Sequence, residues 1–171
     1  ATRLENEWQK PLVDIVDKTD DTKDKLKWRW QKGEETLLAD FGNPATGTEY
    51  TLCVYDTSAS VPSLKASLEV PAGVLWAPAG SSGYKYKDTS AVTDGLKKVQ
   101  LKAGAFGKAK VSLQATGVNI PMPVPFSLTQ QREQDPELVV QLINDLGFCW
   151  STTFTAPALE NDADRFKDKT P

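Results

Sequence analysis

Lys25-Leu26-Lys27-Trp28-Arg29-Trp30 sets three apolar side chains against three cationic ones in strict alternation. Successive side chains of an extended chain point to opposite faces. The stretch therefore reads as a half-buried β-strand with Leu26, Trp28 and Trp30 on one side. An aromatic pair on one face can stack on sugar rings. Here the opposite face is uniformly charged, which favours Trp28 and Trp30 as core. Gln31-Lys32-Gly33-Glu34 then reads as a turn.

The same pattern recurs downstream. Thr36 to Phe41 reads as the next strand, closed by Gly42-Asn43-Pro44, and Glu49 to Asp56 as a third. Ser63 to Val70 alternates Leu64, Ala66, Leu68 and Val70 against Ser63, Lys65, Ser67 and Glu69. A turn-rich stretch, Pro71 to Gly83, carries Trp76, and Tyr84-Lys85-Tyr86-Lys87 alternates again. Leu96 to Leu101 and Lys108 to Thr116 read as a hairpin pair around Ala103 to Gly107. Ile120 to Phe126 has proline at every second position, an extended edge or polyproline-like connection. Asp135 to Gly147 fits two readings. One is a helix with Pro136 at its first position and a stripe of Leu138, Val139, Leu142, Ile143 and Leu146. The other is a hairpin that continues through Phe148 to Thr155. About nine or ten short strands, spaced roughly 8–15 residues apart, predict an all-β sandwich of mostly antiparallel strands. Few helical patterns exist to cover a parallel sheet, so α/β is disfavoured.

The flanks differ. In residues 1–24, Leu4, Trp8, Leu12, Ile15 and Val16 recur at roughly helical spacing, interrupted by Pro11. That predicts a short helix starting near Pro11, or an irregular arm. The expected organisation is an arm or linker at 1–24, a β-sandwich at 25–156 and a charged tail at 157–171. Ala1-Thr2-Arg3 leads directly into polar sequence, as in a mature secreted chain or a module cut from a larger one.

With 171 residues, 39% hydrophobic and 25% charged, the chain suits one globular domain. No apolar run reaches the length of a membrane span. A net charge of −3 and a pI near 5.1 argue against a general nucleic-acid binder. The chain has no histidine, which removes His-based triads, His general bases and His-ligated metals. Cys53 and Cys149 cannot build a zinc site alone. Each falls on the face opposite its strand's main apolar set, so they can meet if their strands are neighbours. Pairing is favoured over two free thiols. It would close a loop of about 95 residues, worth up to ~4–5 kcal/mol, and would imply an oxidising compartment.

Trp76 lies in a loop with little local core, and Tyr84 and Tyr86 follow on a shared face. These three are the candidate ligand contacts, with Lys85 and Lys87 beside them. The alternative is packing under the loop. Lys85, Lys87, Lys97, Lys98, Lys102, Lys108 and Lys110 form a basic stripe opposed only by Asp88 and Asp94. It can favour an anionic polysaccharide, or simply mark solvent faces and protected edges. Asp17, Asp20, Asp21 and Asp24 lack the spacing of a calcium loop and read as a solvated linker. No phosphate loop or nucleophile elbow occurs, and no catalytic residue, metal ligand or cofactor is assigned. Paired carboxylates acting on glycosides are a distant alternative.

Several strings together resemble a family of secreted bacterial β-sandwich modules of unassigned function. They are Lys23 to Trp28, Tyr50 to Asp56, Gly83-Tyr84-Lys85-Tyr86-Lys87-Asp88, Asp94 to Pro121, Val139 through Trp150, and Phe166 to Lys169. The resemblance covers roughly residues 22–169, and the Gly83–Asp88 string is its most specific element. It implies an exported, extracellular location and favours the hairpin at 138–154. Relatives carry further cysteines near the segment matching 71–83, and none is present here. The expected function is a non-catalytic accessory module that binds a surface glycan or another extracellular partner. The runner-up is a structural spacer or assembly module without a small ligand.

Overall fold

The computed structural model describes residues 9–58, 60–122 and 137–169. The described chain is all-β, with twelve strands: β1 (Leu12–Val16), β2 (Lys25–Gly33), β3 (Tyr50–Ser58), β4 (Val61–Val70), β5 (Trp76–Pro78), β6 (Gly83–Lys87), β7 (Leu96–Lys102), β8 (Ala109–Thr116), β9 (Glu137–Asn144), β10 (Cys149–Thr155), β11 (Glu160–Asn161) and β12 (Arg165–Asp168). They form an eight-stranded sheet, β11-β12-β1-β2-β8-β7-β6-β5, and a four-stranded sheet, β10-β9-β3-β4. Every strand pair in both is antiparallel.

The inner faces of both sheets contribute to one hydrophobic cluster. Trp28, fully buried on β2, donates its indole N–H to Thr152 Oγ1 on β10 at 2.8 Å. Tyr50 on β3 meets the Trp76 ring of β5, with centroids 5.7 Å apart. Leu26, Trp28 and Trp30 all point inward, as their alternation requires. The 137–155 stretch is the hairpin, with Trp150 opposite Leu142 and Phe154 opposite Leu138. The proline-rich stretch lies outside the described residues from Pro123 onward.

Four expectations change. The described strands number twelve rather than nine or ten, because the two flanks add Leu12–Val16, Glu160–Asn161 and Arg165–Asp168. Residues 12–16 form a strand rather than a helix or an arm. Leu12-Val13-Asp14-Ile15-Val16 is rich in β-branched residues, which lose rotamer freedom in a helix. Its period is two: Val13 and Ile15 are fully buried, while Asp14 and Val16 face outward. The charged tail is likewise built in, since β12 pairs with β1 and Phe166 is fully buried. Residues 36–41 are not a strand. Thr36 makes a single bridge to Gly104, and Leu38–Phe41 turns as a short 3-10 helix. Asp40 accepts the Leu37 N–H at 2.7 Å, a local side-chain bond that competes with a ladder.

The cysteines form no bridge. Both lie on the face of the smaller sheet turned away from the core, as expected, Cys53 buried there and Cys149 exposed, but their strands are not neighbours. Cys53 on β3 pairs with Gln141 of β9, and Cys149 on β10 pairs with Ile143 of the same strand. With β9 between them, two inter-strand steps and a two-residue offset along β9 keep the Cα atoms roughly 12 Å apart. A disulfide needs about 4.4–6.8 Å.

Candidate functional site: a cationic sheet face

Strand β6 divides the predicted ligand set. Its alternation buries Tyr86 and turns Lys85 and Lys87 to solvent. Trp76, opposite Tyr86 in the ladder, is 4% exposed. The Trp76 and Tyr86 rings meet edge to face at 5.4 Å, and the indole N–H donates to Pro71 O at 2.9 Å. Burial pushes the Tyr86 phenol upward, with the Asp88 charge adding to it. Tyr84 is half-buried and packs against the same core. The aromatics are thus interior, and Lys85 and Lys87 alone of the five lie on an open face.

That face is the outer surface of the eight-stranded sheet, and register fills it with cations. Lys167 of β12 stands opposite Asp14 of β1, which stands opposite Lys27 of β2. The row continues through Gln114 of β8 and Lys98 of β7 to Lys87 of β6. A second row runs Arg29, Ser112, Gln100, Lys85. A third runs Arg165, Val16, Lys25, Thr116, and a fourth Gln31, Lys110, Lys102. Ten basic residues therefore share the outward positions: Lys25, Lys27, Arg29, Lys85, Lys87, Lys98, Lys102, Lys110, Arg165 and Lys167. Among the described strand positions of this face the acids are Asp14 and Glu160. Six strands at about 4.8 Å spacing make the face about 25 Å wide.

Edge protection does not account for these lysines, because β2, β8, β7 and β6 are interior strands. Two like-charge pairs stand directly across from each other, Lys87 with Lys98 and Lys102 with Lys110. Such pairs destabilise a sheet. The two acids are largely committed to one partner. Asp14 accepts from Arg165 Nε and a terminal guanidinium nitrogen, both at 2.8 Å, and Glu160 sits 3.4 Å from the same group. The cations between them are spaced by Gln100, Gln114, Ser112, Gln31 and Thr116, whose amides and hydroxyls both donate and accept. Of the sequence-predicted stripe, Lys97 falls at a bulge and donates to Thr89 O, and Lys108 lies in the β7–β8 turn. The residues from β2 and β12 were missed. Their signal was the alternation of Lys25, Lys27 and Arg29, and of Arg165 and Lys167, once each is given a strand.

The 17–24 segment borders this face. It is held by its own carboxylates: Asp20 accepts from Thr22, and Asp24 Oδ1 accepts the Lys18 N–H at 2.8 Å. Among the described residues no group of three or more carboxylates and cysteines is placed to hold a metal ion. Asp24 is 4% exposed, and burial raises its carboxyl above the ordinary value. The Lys18 amide opposes this, while the charges of Asp21 and Asp20 reinforce it. The folded state therefore holds the Asp24 proton to higher pH than the unfolded chain does. Stability falls as pH rises through that window, and the penalty persists above it. Asp24→Asn keeps the Oδ1 acceptor. Urea unfolding should find it more stable than the parent at pH 7, with the difference shrinking toward pH 3. An unchanged difference between the two pH values would refute this assignment.

Among the described residues no helix is long and apolar enough to cross a membrane. Searches of family models, curated proteins and solved structures find no match to this chain. Fold and face together define a two-sheet antiparallel β module whose larger sheet presents a broad cationic surface.

Proposed function

We propose that this chain is a non-catalytic β-sandwich module of an exported protein that binds an anionic polysaccharide through the outer face of its larger sheet. The observation that carries this is the registered row Lys167, Asp14, Lys27, Gln114, Lys98, Lys87, with its neighbouring rows. Regularly spaced cations match a linear polyanion, and the intervening amides and hydroxyls match sugar hydroxyls. No aromatic side chain occupies the outward strand positions named above, so the face lacks the stacking platforms that single-stranded nucleic acid uses. Burial of Trp76 and Tyr86 also suits the second reading, a spacer or assembly module without a small ligand.

The test is retention on immobilised acidic and neutral polysaccharides over a salt series. Retention on uronate- or sulfate-bearing polymers alone, weakening as salt rises, is the expected result. Equal passage through acidic and neutral gels at low salt would leave the spacer reading. Stronger displacement by duplex DNA than by acidic polysaccharide would replace the polysaccharide with nucleic acid.

A further inference from the structure

At the end of this face, between β1, β2 and β12, the surface is not flat. A depression of about 650 Å³ opens there, within the size range of ligand sites. Its floor includes Val16, half-buried and flanked in the ladder by Lys25 on one side and Arg165 on the other. Its rim carries Lys23 and Thr22 from the 3-10 turn Asp21–Lys23, Lys27 from β2, Lys18, which is paired with Asp164 at 2.9 Å, and Asp14, whose carboxylate is taken up by Arg165. That turn is fixed: the Lys23 N–H donates to Asp20 O at 2.9 Å, and Thr22 Oγ1 donates to Asp20 Oδ1 at 2.5 Å. The Arg165 guanidinium is also fixed, by its two bonds to Asp14. Lys23 has Asp20 at 3.2 Å on an exposed surface, a weak pair. Lys25 and Lys27 have no ion-pair partner among the described residues.

We infer that this depression is a subsite for one acidic sugar residue. The ring lies over Val16, and its anionic oxygens are held by Lys23, Lys25 and Lys27. The inference rests on the polysaccharide reading and sharpens it. The open rows need many weak interactions along a polymer, and so need chain length. A concave site framed by a fixed turn and a fixed guanidinium gathers several cations around one residue and so holds a short ligand by itself. Carboxylate and sulfate groups share the chemistry that these ammonium groups recognise, and the two probes below separate them.

The experiment is calorimetric titration of the full chain with a uronate tetrasaccharide and, separately, with a sulfated tetrasaccharide. The parent is compared with Lys23→Ala/Lys25→Ala and with the remote pair Lys87→Ala/Lys98→Ala. All four positions are at the surface, and circular dichroism confirms the fold of each variant. One tetrasaccharide should bind the parent, and its affinity should fall about tenfold or more in the near pair. The remote pair should change it by less than about twofold. Polymer retention should fall in both. If neither tetrasaccharide binds the parent while polymer is retained, or if both pairs weaken it equally, the subsite is refuted and the broad face stands. If polymer passes unretained but a tetrasaccharide binds in a manner dependent on Lys23 and Lys25, the subsite stands and the broad face falls. If neither ligand is held, both readings fall.

Discussion

Replacing Trp76 by alanine should lower the unfolding free energy by about 3–5 kcal/mol, the range for deleting a large buried aromatic side chain. Trp76 is 4% exposed and lies between Tyr50 and Tyr86, with ring centroids at 5.7 and 5.4 Å. Tyr50 in turn meets Trp150, whose ring lies 4.9 Å from that of Phe41. The substitution breaks this run of rings between Tyr86 and Tyr50. It also leaves Pro71 O without its indole donor. Set against typical domain stabilities of about 5–15 kcal/mol, the loss is a large fraction of the total. Urea unfolding measures it directly. A variant that keeps the parent's midpoint but loses ligand retention would return Trp76 to the role of ligand contact.

Neutralising the β6–β7 end of the cationic face should do the opposite to stability. In Lys85→Gln/Lys87→Gln/Lys98→Gln, the direct Lys87–Lys98 repulsion across β6 and β7 disappears, while Lys27 keeps its place opposite Asp14. Relief of one such pair is worth about 0.2–1 kcal/mol in favour of the fold. Binding should move the other way. Removing one charge-assisted hydrogen bond to the ligand lowers affinity about tenfold, so the triple variant should bind acidic polymer at least about 100-fold more weakly at low salt. Its affinity should also depend less steeply on salt, because fewer counterions are released on binding. A gain in unfolding midpoint together with earlier elution is the expected pair of results. Unchanged elution, with stability raised, would show that these lysines repel each other without serving the ligand.

Much of this was legible in local alternation. Leu26, Trp28 and Trp30 were assigned inward, and the hairpin of β7 and β8 followed from its turn. The Tyr84–Lys87 pattern already implied that tyrosines and lysines face apart. Reading all of them as one contact set overlooked that consequence. Strand order was not legible. Lys27, Lys98 and Lys87 come from distant parts of the chain, and only the order β2-β8-β7-β6 lines them up. Arg165 and Lys167 looked peripheral because nothing local shows that β12 pairs with β1. The same missing information separates Cys53 from Cys149, since like faces do not make two strands neighbours. At 36–41 the composition suited a strand, but the Asp40 side chain captured a backbone donor that a ladder would have used.

The pairing of β1 with β12 bears on how such a unit would behave in tandem. Val13 stands opposite Asp168, so the polypeptide arrives and departs at the same corner of the larger sheet. Strung along a longer protein, the fold would hang as a pendant and add almost nothing to end-to-end reach. Tension would act across that single corner and peel β12 from β1 one rung at a time, instead of loading all the rungs together. Such a layout suits a unit that grips something beside the string better than one that sets the distance along it.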